Sequence, residues 1–245
     1  MIKIKNLLRK ITYREKASSE EYIKYLKALG VLVGEGTTIY EPQKTVIDVQ
    51  RPWLLEIGKN VKIAEGVRII THGFDWCVLK SEYGDVLGSS SKVKIGNNVF
   101  IGVGTTILKG VNIGDNVIIG ANSLVCKDIP SNTVFAGNPA KQICTLEEYY
   151  IKRKDEYENE ARETAYEYYK RYNKIPPKEV MYEFFWLFED ENSYRKTEKY
   201  DTCMKYMGNE KESIEKMKEI KKKYSNYEEF LKSCNIPINE EIKWK

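Results

Sequence analysis

The sequence predicts a mainly β fold, in which short strands wind into stacked triangular coils between an N-terminal helix and a helical C-terminal extension. Three observations predict it. Aliphatic residues recur every six positions through the middle of the chain, glycine and asparagine recur between them, and the rhythm gives way to helical spacing after Cys144. A period of six does not fit the 3.6-residue turn of an α-helix, but it suits short strands separated by tight corners.

The aliphatic side chains occupy two of the six positions of the repeat. In the downstream block the first positions are Ile95, Ile101, Ile107, Ile113, Ile119 and Val125, and the fifth are Val99, Thr105, Val111, Val117, Ser123 and Ile129. An upstream block has Val33, Ile39, Ile57, Ile63 and Ile69 at first positions. No single repeat can bury its own apolar row, so we expect these side chains to stack inside a prism.

The polar residues between the aliphatic ones support tight corners. Asn97, Asn98, Asn116 and Asn122 suit corners that demand positive φ, as the repeated glycines do. An antiparallel meander is the alternative interpretation of an apolar and polar alternation. It predicts a period of two and irregular turn spacing, so the regular sixes favour the coils.

The rhythm breaks beside the only histidine of the chain. The stretch "ITHGFDWCVLK" contains His72, and the block that resumes at Val93 is out of phase with the block before it. Residues have therefore been inserted between the two blocks, over a loop that we place at 73–92. A lone histidine is usually structural, but its unperturbed pKa also suits proton transfer near neutral pH.

Composition limits the classes of function. The 40 basic and 36 acidic residues nearly balance, which gives no general reason to expect nucleic acid as a partner. The five cysteines form no C-x-x-C pair, which favours a reducing compartment over a disulfide framework or a zinc site. No apolar run reaches the roughly 20 residues of a membrane span, and the basic N-terminus is a poor signal peptide. We expect a cytoplasmic protein, with at most peripheral membrane contact through Ile4, Leu7, Leu8 and Ile11.

The repeats closely resemble those of a known family. The run from Val93 to Val125 and the segment "DIPSNTVFAGNPAK", Asp128 to Lys141, are similar to the hexapeptide-repeat acyltransferases, of the sugar and capsular-polysaccharide O-acetyltransferase type. The resemblance covers Gly30 to Cys144. It implies a left-handed parallel β-helix, a homotrimer with active sites between neighbouring prisms, and acetyl-CoA as cosubstrate. We divide the chain into an N-terminal helical segment (1–30), the β-helix domain (31–144) and the helical extension (145–245).

The resemblance also implies a catalytic role for His72, because the family's base is a histidine at an interruption of the coils. A neutral imidazole can take the proton of an attacking hydroxyl, which typically contributes 10²–10⁴-fold. The ring needs an orienting partner on its other nitrogen. Asp75, Glu82 and a backbone carbonyl are the candidates.

The binding residues are carried over from the family by position. For the donor, the resemblance implies Val103 at the thioester end, Ala121 along the pantetheine arm, and Cys126, Lys127 and Lys141 at the nucleotide end. For the acceptor, the candidates are Asp48, Arg51 and Trp76. A corner salt bridge for Asp48 and Arg51, and simple loop packing for Trp76, are the alternatives.

Three functions remain open from the sequence. The first is acetyl transfer from acetyl-CoA to a sugar hydroxyl of a surface polysaccharide, capsular or lipopolysaccharide-type, or of its precursor. The second is N-acetylation of an amino sugar on a nucleotide or lipid carrier, and the third is a scaffold without catalysis. Carbonic anhydrases of this fold need three zinc histidines, so we expect no metal in a chain with one.

Helix signals flank the repeats. "SSEEYIKYLKALG", Ser18 to Gly30, has the features of a capped helix before the first coil, and "TLEE", Thr145 to Glu148, is a capping box that opens a long helix ending before Pro176. A further helix is expected over "KEVMYEFFWLFED" after Pro177, and another capping box occurs in "SNYEEFLKSC". The extension is longer than a cap needs, so it has room to bind a polymer acceptor or a protein.

Overall fold

The computed structural model describes residue 9 and residues 11–237 of the 245-residue chain. The chain divides into two compact units, Met1–Tyr149 and Tyr150–Lys245, and each is described by itself. Of the four N-terminal apolar residues considered for membrane contact, Ile11 is helical and exposed, and the other three lie outside the described residues. No helix in the described part of the chain is both long enough and apolar enough to cross a bilayer.

The first unit is a prism with three parallel sheets as its faces. Face 1 contains β1 (Leu32–Val33), β4 (Leu55–Ile57), β9 (Val93–Ile95) and β12 (Asn112–Ile113). Face 2 contains β2 (Thr38–Ile39), β5 (Lys62–Ile63), β10 (Val99–Ile101), β13 (Val117–Ile119), β15 (Thr133–Ala136) and β16 (Lys141–Thr145), the last pair antiparallel. Face 3 contains β3 (Val46–Ile47), β6 (Arg68–Ile69), β11 (Thr106–Ile107) and β14 (Leu124–Val125). The fold is the predicted left-handed parallel β-helix, and the meander is excluded.

The prism interior consists of the predicted aliphatic rows. Every downstream first-position side chain from Ile95 to Val125 is at most 1% exposed, and every fifth-position side chain from Val99 to Ile129 is at most 3% exposed. The parallel register stacks equivalent positions, for example Ile63 beside Ile101 and Ile101 beside Ile119. Each coil therefore adds its row to a core shared with the coils above and below.

Asparagines stabilise one corner of the prism in two ways. Asn60, Asn98, Asn116 and Asn132 have φ between 55° and 61°, and their side-chain amides form a ladder along the corner, each Nδ2 donating to the next Oδ1 at 3.0–3.4 Å. The prediction of positive φ is confirmed for Asn98, Asn116 and Asn122. It is wrong for Asn97, whose Oδ1 instead accepts a hydrogen bond from the backbone N–H of Lys59 at 2.8 Å.

The strand register locates the insertion. Phe100 pairs with Ile118, which is 18 residues later, and this offset is three six-residue repeats. Lys62 pairs with Phe100, 38 residues later, so the coil that contains His72 has 20 extra residues. This number equals the length of the predicted loop 73–92. The insertion contains β7 (His72–Gly73), α2 (Trp76–Tyr83) and β8 (Ser89–Ser90), and β7 pairs antiparallel with β8.

The N-terminal helix is confirmed as α1 (Ser19–Leu29). The side chain of Ser18 accepts a hydrogen bond from the N–H of Glu21 at 3.2 Å, and Gly30 ends the helix with φ 106°. Tyr22 and Leu26 on its inner face join the core of the prism. The short 3₁₀ turns of this unit are Arg14–Lys16, Pro42–Lys44 and Pro52–Leu54.

The helical extension begins with α3 (Leu146–Tyr172), which the predicted capping box opens. The N–H of Thr145 donates to Oε2 of Glu148 at 2.8 Å, and the N–H of Glu148 donates to Oγ1 of Thr145 at 3.2 Å. The helix ends at Tyr172 because Asn173 has φ 48°. The later helices are α4 (Glu198–Lys205), α5 (Glu210–Glu219) and α6 (Tyr227–Ser233), and Asn226 caps α6 by accepting from the N–H of Glu229 at 2.9 Å.

The predicted helix over 178–190 is wrong. The segment instead makes two 3₁₀ turns, Lys178–Met181 and Phe185–Leu187, and further 3₁₀ turns follow at Tyr194–Lys196 and Tyr206–Gly208. Phe185 and Phe188 could share one face of a helix, but Leu187, which is also buried, would point away from that face. Burying these neighbours around the aromatic core of the second unit outweighs regular helical hydrogen bonding.

Candidate active site

His72 lies at the corner between face 3 and face 1, where the insertion leaves the prism. Two residues separate it from the end of β6, and it pairs with Ser90 in the β7–β8 ladder, so both ends of the insertion fix its backbone. Its side chain is 24% exposed. The ring is therefore held by the prism but open on one side.

Asp48 comes from the preceding coil at the same corner. Its N–H donates to the carbonyl of Ile69 at 3.0 Å, which aligns the two coils, and its Oδ2 lies 2.5 Å from Nδ1 of His72. The carboxylate side chain is only 7% exposed. An ionised carboxylate can only accept, so this contact places a proton on Nδ1 and directs the lone pair of Nε2 away from Asp48.

The surroundings of Asp48 keep it ionised. Burial by itself would raise its pKa, but hydrogen bonds from the hydroxyl and N–H of Thr71, the N–H of Gln50 and the ring of His72 outweigh it and lower the pKa to about 2. The Thr71 hydroxyl lies 2.6 Å and its N–H 3.0 Å from Oδ2, and the Gln50 N–H lies 3.0 Å from Oδ1. Thr71 is itself fully buried. The carboxylate is thus fixed before any ligand binds.

These contacts correct two expectations. Asp75 and Glu82 are both exposed, and the imidazole is paired with Asp48 instead. Asp48 was expected to hydrogen-bond the acceptor, but both of its oxygens accept from the protein itself. The alternative of a corner salt bridge describes Asp48, whose ionic partner is His72, but not Arg51, which has no ion pair with another described residue.

Arg51 and Trp76 do meet His72 around one cavity. This cavity has a volume of about 400 Å³, and Gln50, Phe74 and Ser89 are among the other residues that line it. Trp76 packs edge to face against Phe74, with ring centroids 4.9 Å apart, and remains half-buried. Arg51 makes no side-chain hydrogen bond or ion pair with any other described residue. One guanidinium, one imidazole and an aromatic wall therefore face the same space.

The residues expected to bind the donor lie on the surface of the prism, away from the cavity beside His72. Val103 and Ala121 are exposed at the corner between faces 2 and 3, one coil apart, and the N–H of Asn122 joins them by donating to the Val103 carbonyl at 2.7 Å. Cys126 and Lys127 follow β14 at the corner that carries His72, two coils further along. Lys141 is exposed at the start of β16, opposite Ala136. Within one protomer, Val103 and Ala121 therefore lie at a different corner of the prism from His72.

Two residues of the site were missed from the sequence. Thr71 and Gln50 anchor Asp48 by donating hydrogen bonds to its carboxylate. Only their positions in the sequence could have identified them: Thr71 directly precedes His72, and Gln50 comes two residues after Asp48. The described residues contain no group of three His, Cys, Asp or Glu side chains able to hold a metal ion.

Comparisons with known proteins agree with this architecture. The family model for bacterial transferase hexapeptides (six repeats) matches residues 92–127. Protein CapG of Staphylococcus aureus is 41% identical over 127 residues, which are 52% of this chain and 73% of CapG. The galactoside O-acetyltransferase of Escherichia coli is 33% identical over 112 residues, and the match covers 44% of this chain and 53% of that enzyme.

Among solved structures, a maltose O-acetyltransferase from Clostridium difficile aligns over 58% of this chain and 83% of its own, with 32% identity and a TM-score of 0.41. The repeat match and the extent of the likeness to CapG agree with the stacked repeats of the prism. The chain belongs to the hexapeptide-repeat acyltransferase family.

Proposed function

We propose that the chain transfers an acetyl group from acetyl-CoA to a hydroxyl of a sugar in a surface polysaccharide or its precursor, with His72 as the general base. The Asp48–His72 pair carries the proposal. The buried, ionised carboxylate of Asp48 accepts the proton of Nδ1, so Nε2 keeps a free lone pair. That lone pair can take the proton of a hydroxyl bound in the cavity.

The chemistry needs no covalent enzyme intermediate. Acetyl-CoA supplies a thioester whose thiolate is a good leaving group. Nε2 of His72 removes the hydroxyl proton as the acceptor oxygen bonds to the acetyl carbon, and the imidazolium then returns a proton to the departing sulfur. Asp48 stabilises the imidazolium through Nδ1 without being protonated itself, as expected for a carboxyl with a pKa of about 2.

The cavity wall supports a sugar as acceptor. The face of Trp76 offers a flat apolar surface for sugar C–H groups, and Arg51 offers a planar donor for a carboxylate or phosphate on the acceptor. The relatives include the galactoside O-acetyltransferase of Escherichia coli, which favours this acceptor class. The name of CapG does not identify an acceptor.

We propose further that the enzyme is a homotrimer and that each site needs two protomers. Val103 and Ala121 lie on one prism corner and His72 on another, so a donor that contacts all three must lie between two copies. Mixing the variants His72→Asn and Ala121→Trp, each inactive alone, should restore activity in mixed trimers. Sedimentation equilibrium gives the oligomeric state, and no regain of activity would contradict a shared site.

The donor and acceptor are tested by thiol release. Purified protein with acetyl-CoA should release free CoA when supplied with a panel of neutral sugars, acidic sugars and amino sugars, and His72→Asn should reduce the rate by about 10²–10⁴-fold. Mass spectrometry of the products distinguishes ester from amide. Transfer only to amino sugars would replace the proposal with N-acetylation, and absence of acetyl-CoA binding in calorimetry would favour a scaffold.

A further inference from the structure

The helical extension contains a second, larger cavity that the proposed chemistry does not use. Its volume is about 640 Å³, within the range of pockets that hold small ligands. One wall is a stripe of α3 in which Tyr150, Arg153, Lys154 and Tyr157 follow helical spacing and share one face. This wall combines aromatic rings with cations along two turns of a single helix.

The part of the lining that α5 supplies is polar. Asn209, which precedes α5, and Glu212, Ser213 and Lys216 within it again follow helical spacing and face the cavity. The amide, carboxylate and hydroxyl groups of this wall can donate and accept hydrogen bonds with ligand hydroxyls. The cavity therefore combines an aromatic stretch of α3 with a polar stretch of α5.

Three rings are available to a ligand, unlike the aromatic core beneath them. Phe185 and Phe188 are at most 2% exposed, whereas Tyr150 is 53% exposed and Trp186, which also lines the cavity, is half-buried. Tyr157 is held in place, because its hydroxyl donates to the carbonyl of Glu183 at 3.1 Å. Rigid rings lose little entropy on binding and stack well on the C–H faces of sugars.

The charges on the cavity favour an anion. Its lining has five cationic side chains and two acidic ones, Glu183 and Glu212. Three of the cations have carboxylate partners: Arg153 bonds Glu160 and Glu156, Lys216 bonds Glu219, and Lys223 bonds Glu158. Within the described part of the chain, Lys154 and Lys221 have none. Lys154 lies over the ring of Tyr150, with Nζ 5.3 Å from its centroid.

We propose that this cavity binds a short segment of an acidic polysaccharide, with sugar rings against Tyr150 and Trp186 and carboxylates near Lys154 and Lys221. The choice of a glycan over other anions rests on the proposed function. The extension would then hold a polymer acceptor by a segment other than the one that is acetylated. Binding itself requires neither acetyl-CoA nor His72.

The test measures binding by the full-length chain in the absence of acetyl-CoA. The probe is a galacturonic acid hexasaccharide, and its binding is measured by calorimetry and by tryptophan fluorescence. Its methyl ester and maltohexaose serve as the uncharged control sugars. We expect the acidic hexasaccharide to bind at least tenfold more tightly than either uncharged one. Tyr150→Ala should weaken binding roughly tenfold, the loss of one good aromatic contact.

Charge reversal gives a matched comparison. Lys154→Glu with Lys221→Glu should weaken binding more than tenfold, whereas Lys211→Glu with Lys218→Glu, which do not line the cavity, should change it less than twofold. His72→Asn should bind normally, so failure of the catalytic proposal would leave this result intact. Equal losses in both charge pairs, no binding of the acidic hexasaccharide, or equally tight binding of hexaglutamate would each overturn the proposal.

Discussion

Asp48 and His72 come from successive coils of the prism and meet at one corner, with Oδ2 2.5 Å from Nδ1. The buried hydroxyl of Thr71 donates to the same oxygen. The carboxylate therefore cannot rotate away without breaking several hydrogen bonds, and the ring is oriented before substrate binds. Orientation of this kind also fixes which nitrogen carries the proton.

The tautomer of His72 can be observed directly, because it is the only histidine in the chain. Untagged protein labelled with ¹⁵N-histidine should show one ring, with the proton on Nδ1 and an unprotonated Nε2. Asp48→Asn removes the negative charge from Nδ1, so the opposite tautomer should become populated and kcat should fall by about 10- to 1,000-fold.

A positioning role for Asp48 predicts a particular kinetic pattern. The KM for acetyl-CoA should change less than twofold in Asp48→Asn, because the carboxylate contacts the ring and not the donor. Asp75→Asn is the matched control, since this exposed carboxylate has no contact with the imidazole, and its kcat should stay within twofold. A large loss in the control, or an unchanged ring tautomer in Asp48→Asn, would contradict the role.

Thr71 should contribute to both stability and rate. Thr71→Val keeps the shape of the side chain but removes the hydroxyl donor, which leaves a buried carboxylate with one hydrogen bond fewer. We expect a loss of about 1–3 kcal/mol in the free energy of unfolding and a smaller drop in kcat than for Asp48→Asn. Urea denaturation measures the free energy of unfolding, and thiol release measures kcat. Thr71→Ser should retain most of both, and a serine variant as damaged as the valine one would refute the hydrogen-bond explanation.

The repeats made the prism predictable because one physical requirement recurs at every coil. Each first-position aliphatic must stack on the one below, so the period, the buried rows and the 20-residue insertion could all be read from spacing. His72 could be located for the same reason, since it marks the break. The sequence offers Asp75 and Glu82 as candidate partners only because they are near His72 in the chain, whereas the coil register brings Asp48 from 24 residues away.

The helical extension was less predictable because its core is not periodic. Phe185, Leu187 and Phe188 are buried close together in 3₁₀ turns, where hydrophobic burial overrides helical spacing. Pairings such as Arg162 with Tyr224, at 2.7 Å, join residues 62 positions apart with no repeat to connect them. Capping boxes, which depend on neighbours in sequence, were the reliable signal in this part of the chain.

The aliphatic rows should dominate the stability of the first unit. Ile101→Ala removes a fully buried side chain from a layer shared by three coils, and we expect a loss of 2–5 kcal/mol in the free energy of unfolding. Val46→Ala removes an aliphatic group that is 51% exposed on another strand of the prism and should cost less than about 1 kcal/mol. Chemical denaturation of both variants gives the comparison, and similar losses would contradict the stacked-core account.

Lys127 and Lys141 should affect donor binding if they contact the charged end of CoA. Lys127→Glu and Lys141→Glu replace exposed cations by anions, so repulsion of the CoA phosphates should raise the KM for acetyl-CoA about tenfold with little change in kcat. Lys59→Glu, at an exposed corner away from both, is the control. Steady-state kinetics at two salt concentrations measure the effect, which should shrink at high salt. An unchanged KM in both variants would remove these lysines from the donor site.

The stability of the extension should depend on pH through Glu158. Burial alone would raise the pKa of this carboxyl, but hydrogen bonds from Lys223, Tyr224 and Arg162 outweigh it and lower the pKa from 4.5 to about 2. The folded state therefore binds fewer protons than the unfolded state between these values. The stabilisation is fully present above about pH 4.5 and is lost as the pH falls toward 2.

Glu158→Gln should remove this dependence. At pH 7 the variant should lose about 1–3 kcal/mol, because Tyr224 and Arg162 lose a charged acceptor, and its melting temperature should fall less steeply between pH 5 and pH 2.5 than that of the parent chain. Glu163→Gln alters an exposed carboxylate on the same helix and should leave both the melting temperature and its slope unchanged. Calorimetric scans across this pH range measure the melting temperatures. If the melting temperatures of Glu158→Gln and the parent chain fell in parallel with pH, the carboxylate would contribute no pH-dependent stability.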